Sequence, residues 1–326
     1  MRNVGLRLCF GVLAVALLPW HAGAKVENGF DLTDSLIPAR KIHYGGQPRD
    51  GIPALTNPTL DDARVADVWL DDDDRVIGVA FDGVAVAYPI RILNWHEVVN
   101  DVVGDRAIVV TYCPLCGTGV VFDAMHQGRR MRFGVSGLLY NSDVLLFDRD
   151  TNSLISQLMM KGISGPLRGV ELSVVPAETT SWAVWKKRHP QTQVLSWATG
   201  FQRDYGIDPY RRYSKTRRLM YPVEGANRSR AHKEWAWLVL LEDRELIIAI
   251  DVLTKRLEDE SGAFRTHGVL LGYDRAAREL TATANDADVV VVPGYWFALT
   301  AFYPNAILVG EDDFDASLGC PLERTR

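Results

Sequence analysis

The chain runs to 326 residues, 47% of them hydrophobic and 24% charged, with a formal net charge of −5. That composition fits a globular protein with ample core, and the acidic total argues against a nucleic-acid binder, which needs a concentrated basic surface. Four cysteines, Cys9, Cys113, Cys116 and Cys320, are too sparse for a disulfide-stapled scaffold.

In chain order, M-R-N-V-G-L-R is basic, L-C-F-G-V-L-A-V-A-L-L-P-W is apolar but short for a bilayer span, and Ala22-Gly23-Ala24 is a small-residue cleavage pattern. Together they predict a secretory signal peptide over 1–24, cut after Ala24, and hence a periplasmic or secreted protein. An uncleaved anchor is the alternative. Cleavage would remove Cys9, Arg2 and Arg7 but no acid, taking the formal charge from −5 to −7. No later segment is long and apolar enough to predict a membrane span.

Residues 25–64 are turn-rich (Y-G-G-Q-P-R-D-G-I-P-A-L-T-N-P) and predict an irregular lead-in. R-V-I-G-V-A-F, D-G and V-A-V-A-Y then predict a β-hairpin, because Asp82-Gly83 supplies the positive φ angles of a tight turn. Pro89 opens P-I-R-I-L-N-W-H-E-V-V-N-D, where Ile90, Leu93 and Val98 suit a short amphipathic helix carrying His96 and Asn100 on one face. A-I-V-V-T-Y, C-P-L-C-G and T-G-V-V-F-D read as strand, knuckle, strand. M-R-F-G-V, D-V-L-L-F-D and Q-V-L-S-W are further strands, with a helix at T-T-S-W-A-V-W-K-K-R-H-P. Y-R-R-Y-S-K-T-R-R gathers Arg211, Arg212, Lys215, Arg217 and Arg218 and reads as a solvated connector.

Two stretches match in texture. W-A-V-W-K-K-R-H-P-Q-T-Q-V-L and W-F-A-L-T-A-F-Y-P-N-A-I-L-V each run from an aromatic-rich helix through an aromatic-Pro pair into an apolar strand, and V-A-V-A-Y-P-I is echoed by E-L-I-I-A-I-D-V. The expected fold class is therefore α+β, mainly β, rich in β-hairpins, with an internal duplication and a few short helices. The expected parts are a first half at 65–200 with the knuckle, a basic connector at 201–219, a cysteine-free second half at 220–312 and a tail at 313–326. No second knuckle is present, so any chemistry is expected in the first half.

The knuckle T-Y-C-P-L-C-G-T-G admits several readings. A thioredoxin-type pair opens a helix, whereas a β-branched run follows this one. A zinc ribbon of four cysteines is excluded by count. A mixed soft-metal site is the first expectation: Cys113 and Cys116 with His96, from the helix just before the strand that carries Cys113, holding copper or zinc and supporting metal binding or metal-dependent redox. Met159-Met160 offers soft sulfur but reads as core filler. A metal-free thiol/disulfide redox pair, and a structural turn in a non-enzymatic binding module, stay open beside it. No nucleotide fingerprint and no hydrolase elbow is present, so no nucleotide cofactor is expected. The expected partner is a periplasmic protein or a small molecule, not nucleic acid.

The strings A-Y-P-I-R-I-L-N-W-H-E-V-V-N-D, T-Y-C-P-L-C-G-T-G-V-V-F-D, F-G-V-S-G-L-L-Y-N-S-D-V-L-L-F-D-R-D-T-N-S-L-I-S-Q and W-A-V-W-K-K-R-H-P together resemble an exported prokaryotic family, domain of unknown function 3179, over roughly residues 40 to 312. The resemblance implies no activity. It draws attention to His96, Glu97, Asn100, Asp101, Cys113, Cys116, Gly117, Ser136, Gly137, Asn141, Ser142, Asp148, Ser153 and Gln157. Of these, His96, Glu97, Asn141 and Gln157 are the candidates for catalysis. Where the family commonly carries an aromatic in S-x-x-S-Q, this chain has Ile155. Ser153 and Gln157 would project together if that stretch were helical.

Overall fold

Short β-branched runs punctuated by turn residues build a ring of small sheets. The computed structural model describes residues 25–257, 261–284 and 287–315. The expected signal peptide, Cys9, Cys320 and residues 316–326 of the expected tail lie outside the described residues. Strand accounts for 41% and helix for 16%, and five sheets of four or five strands form a propeller-like ring, so the fold is mainly β. Among the described residues no helix is long and apolar enough to cross a membrane.

The first sheet forms around the hairpin of β1 (Arg75–Phe81) and β2 (Val84–Pro89), whose turn residues Asp82 and Gly83 have φ of 48° and 81°. This is the left-handed pair that a two-residue hairpin needs. α1 (Ile90–His96) follows directly and is shorter than its sequence pattern suggests. Glu97 ends it in the left-handed region at φ 58°, and Val98-Val99 then enter β3 (Val98–Val103). Asn100 is therefore on a strand rather than on the face of His96. Its amide donates to Phe133 O at 2.9 Å and accepts from Phe133 N–H at 2.7 Å, two strand-to-strand bonds that a helical continuation would forfeit.

β3, β4 (Arg106–Cys113) and β5 (Thr118–Asp123) make an antiparallel meander in the order β5-β4-β3, extended by Leu55–Thr56 of the lead-in. β6 (Phe133–Tyr140), β7 (Asp143–Asp148) and β8 (Leu154–Ser156) make a third sheet, with Ile42–Tyr44 on one edge and Lys161–Gly162 on the other. The S-L-I-S-Q stretch is thus strand, not helix, and Ile155 is buried in the core. The chain then returns to the first sheet through β9 (Glu178–Ser181), α2 (Trp182–Arg188) and β10 (Gln193–Leu195).

The later part repeats this wiring. β11 (Trp235–Leu240) and β12 (Glu245–Ala249) form a hairpin that runs into α3 (Ile250–Arg256). A meander of β13 (Ser261–Thr266), β14 (Val269–Asp274) and β15 (Glu279–Ala284) follows. β16 (Val290–Tyr295), α4 (Trp296–Phe302) and β17 (Ile307–Val309) close the chain back on the hairpin. Strand orders β9-β1-β2-β10 and β16-β11-β12-β17 coincide, and in both the last strand lies parallel to its hairpin neighbour. The two parts share one core, in which Cys113, Cys116 and Phe122 are continuous with Trp237, Leu238, Val292 and Trp296.

Candidate metal centre

Cys113 ends β4 opposite Thr118 at the start of β5, so the loop between them holds four residues, Pro114 to Gly117. Both Cys116 N–H (3.2 Å) and Gly117 N–H (2.8 Å) donate to Cys113 O, which curls the loop and returns Cys116 beside Cys113. Gly117 sits at φ 68°, and a Cβ there would come within 2.8 Å of the Trp235 ring, so glycine is required on two counts. Gln157 secures the base of the loop. Its amide nitrogen donates to Thr111 Oγ1 at 2.9 Å, and its oxygen accepts from Thr118 Oγ1 at 2.8 Å, tying β4 to β5 immediately behind the sulfurs.

A second turn faces the knuckle. Asn141 and Ser142, at φ 48° and 65°, form the two-residue connection between β6 and β7. Their backbone aims Ser142 O at both thiols, which donate to it from 3.7 Å (Cys113) and 3.4 Å (Cys116). The next residue, Asp143, is fully buried. One ligand atom each from Cys113, Cys116 and Asp143 lies within 4.8 Å of the others, which makes this a group able to hold a metal ion. Leu158 N–H reaches Asp143 Oδ2 at 3.1 Å, whereas Asp143 Oδ1 is buried with no hydrogen-bond partner among the described residues beyond the weak influence of the two thiols. Orphaned carboxylate oxygens in a protein interior are costly and rare, and this one sits beside two sulfurs.

Burial dominates the electrostatics. It pushes the Asp143 carboxyl up to about 7 against the offsetting Leu158 N–H, and it raises the Cys113 and Cys116 thiols, more strongly for Cys116. Burial likewise pushes Glu97 up to about 8, with the Tyr210 hydroxyl opposing and the Asp143 charge adding to it. Without a cation, the pocket favours neutral thiols and carboxyls; a cation reverses that preference.

The sequence candidates disperse. His96 is not brought to the sulfurs: its Nδ1 is 2.7 Å from Pro53 O and its Nε2 is 2.7 Å from the Tyr205 hydroxyl, so both ring nitrogens are engaged elsewhere. Burial pulls its pKa below the usual value. Asn141 acts as a brace, accepting from Glu224 N–H at 3.0 Å, and Asn100 and Gln157 are braces too. Met159 and Met160 pack at the margins of two different hydrophobic clusters. Glu97 is the catalytic candidate with an open outlook, because it lines a cavity of about 330 Å³. Trp95, Arg203, Tyr210, Met220 and Tyr221 share that cavity, with Leu115 and Val144 on the side of the knuckle.

Sequence reasoning missed Asp143, read there as the first residue of the strand D-V-L-L-F-D, and the tyrosines of the connector. The basic side chains of the connector are exposed, as a solvated run should be. Its tyrosines point the other way. Tyr205 reaches His96, Tyr210 reaches Glu97 Oε1 at 3.4 Å and Tyr213 donates to Leu115 O at 3.1 Å; just past the connector, the backbone carbonyl of Tyr221 accepts from the Ser142 hydroxyl at 3.1 Å. The available signal was Y-G-I-D-P-Y-R-R-Y, where aromatic residues interrupt a charged run.

No curated protein and no solved structure matches the chain. The model of the family described as "Protein of unknown function (DUF3179)" matches residues 49–292, which include the helix, the knuckle, the facing turn and the connector just described, and the chain belongs to that family.

Proposed function

We propose that the protein binds one metal ion through Cys113, Cys116 and Asp143. The observation that carries this reading is Asp143 Oδ1, a buried acceptor that among the described residues has beside it only the two thiols, which a metal would deprotonate. Two thiolates and a carboxylate oxygen suit a borderline divalent ion such as zinc; copper(I), which favours sulfur and imidazole, is second because His96 is committed elsewhere. Three protein ligands leave a fourth position for a water or a bound molecule, the pattern of a working site rather than a closed structural one. Buried thiols with raised pKa are weak nucleophiles, which speaks against a metal-free thiol enzyme. Export through residues 1–24, and descent of the two similarly wired parts from a duplication, belong to the same reading.

The test is metal analysis and thiol titration of the purified chain beside Cys113→Ser and Asp143→Asn. One zinc or copper per chain, lost in Cys113→Ser and weakened in Asp143→Asn, supports the proposal. A metal-free chain that cycles reversibly between a Cys113–Cys116 disulfide and two thiols would replace it with a redox role. A metal-free chain with inert thiols would leave the knuckle a structural turn.

A further inference from the structure

We propose that Glu97 is the relay through which the metal ion passes between the 330 Å³ cavity and the buried Cys113, Cys116 and Asp143 group, so that the cavity is the loading port of the site. This rests on the metal-site reading above. The cavity comes near the cluster without exposing it: Cys113, Cys116 and Asp143 do not line it, but its wall includes Leu115, which sits between the two cysteines, and Val144, which follows Asp143. Glu97 belongs to both places. It lines the cavity, and its carbonyl accepts at 2.8 Å from the N–H of Tyr112, the residue before Cys113, which sets it next to the knuckle strand; the Asp143 charge is among those that raise its pKa.

The backbone holds it there. Glu97 N–H donates to Leu93 O at 2.8 Å and Glu97 O accepts from Tyr112 N–H at 2.8 Å, so the residue is pinned on both sides in a left-handed conformation. A non-glycine residue in that region carries backbone strain, which persists only where its surroundings over-determine it. Here that conformation ends the helix with Glu97 buried at the wall of the cavity. The Tyr210 hydroxyl, 3.4 Å from Glu97 Oε1, holds it from the connector side. A hard oxygen ligand that contacts the arriving ion before the thiolates do shortens the interval in which a partly dehydrated cation lacks a partner in a low-dielectric interior.

The experiment follows cobalt(II) uptake by the metal-free full chain in a stopped-flow spectrometer, using the thiolate-to-metal charge-transfer absorption, and then its removal by a chelator. Glu97→Gln keeps the volume and removes the charge. The expected result is the same final spectrum and one ion per chain, with uptake and removal both slowed by about tenfold. Tyr210→Phe, which leaves the backbone of Glu97 untouched, is expected to slow both by a smaller factor and serves if Glu97→Gln folds poorly. Unchanged rates in both variants overturn the relay while leaving the metal site standing. A changed final spectrum in Glu97→Gln also overturns it, because Glu97 would then be a resident ligand. A wild-type chain that takes up no cobalt overturns the metal-site reading and the relay together.

Discussion

The β4–β5 turn and the β14–β15 turn have the same skeleton and opposite content. Each joins the second and third strands of a meander through four residues, with Cys113 paired to Thr118 in one and Asp274 paired to Glu279 in the other. Each has its last loop residue in the left-handed region, Gly117 at φ 68° and Arg278 at φ 46°. Each is also capped by the first strand of the opposite part. Trp235 of β11 covers Gly117, and Tyr295 N–H donates to Cys116 O at 2.8 Å; on the other side, the Arg75 guanidinium of β1 donates to Ala277 O and Arg278 O. At the cysteine turn the cap is aromatic, and the two thiols share one acceptor, Ser142 O, beside the buried Asp143 carboxyl. At the other turn the buried carboxylate has strong donors: Glu279 accepts from Arg188 at 2.7 Å and from Thr180 Oγ1 at 3.1 Å. The two turns therefore sit beside buried carboxylates of opposite standing, Glu279 with a cation and Asp143 without one, and a buried carboxylate that lacks a cation points to a cation site.

The sharpest way to break this contrast is to exchange the chemistry. Cys113→Ser or Cys116→Ser should abolish metal binding, while Ala277→Ser at the equivalent position should leave stoichiometry at its wild-type value, both read by metal analysis after gel filtration. Asp143→Asn should weaken zinc by on the order of 100-fold in a competition titration, yet raise the melting temperature of the metal-free chain near pH 8, because it removes an uncompensated buried charge. In the other turn, Arg188→Met strands Glu279 in the interior. Arg188 is partly exposed, so the expected loss is about 2 kcal/mol by denaturant titration, below the cost of breaking a fully buried pair, with metal binding untouched.

The metal-free chain should also lose stability as pH rises. Glu97 and Asp143 have folded pKa values near 8 and 7, above their ordinary 4.5 and 3.8, so the folded state holds protons that the unfolded state releases. Their contribution is complete below the ordinary carboxylate range and is lost as pH climbs through 7 to 8. Glu97→Gln should flatten that slope, and bound zinc should remove the part due to Asp143, since the metal displaces that proton together with those of the two thiols. The smallest effects concern the two left-handed positions. Gly117→Ala should cost about 1 kcal/mol or more through φ and the Trp235 contact, whereas Arg278→Gly should be neutral or stabilising by up to about 1 kcal/mol, as measured by thermal melts.

Much of the fold was legible because its signals are local. Asp82-Gly83 forces a tight hairpin, alternating valines make strands, and the Trp-to-aromatic-Pro strings predicted α2 with β10 and α4 with β17 correctly as helix-turn-strand units. The knuckle was legible as well, because two cysteines two residues apart before a glycine allow few geometries. Where the reading went astray, a distant partner decided. Asn100 belongs to a strand, where its amide both donates to and accepts from the Phe133 backbone and also donates to Leu55 O, and His96 turns away because Pro53 and Tyr205, far off in the chain, occupy its two nitrogens.

Sequence alone determined that two sulfurs would sit side by side in a β-turn, since that spacing is set by covalent geometry and a glycine with positive φ. Only the tertiary structure decided what they would face. Asp143 reaches them through a hairpin 30 residues further along, and Glu97 through a strained helix end. Tyr210 comes from a segment that reads as solvent-exposed charge. Contacts of that kind depend on how sheets stack around a shared core, and no periodicity within any one strand encodes them.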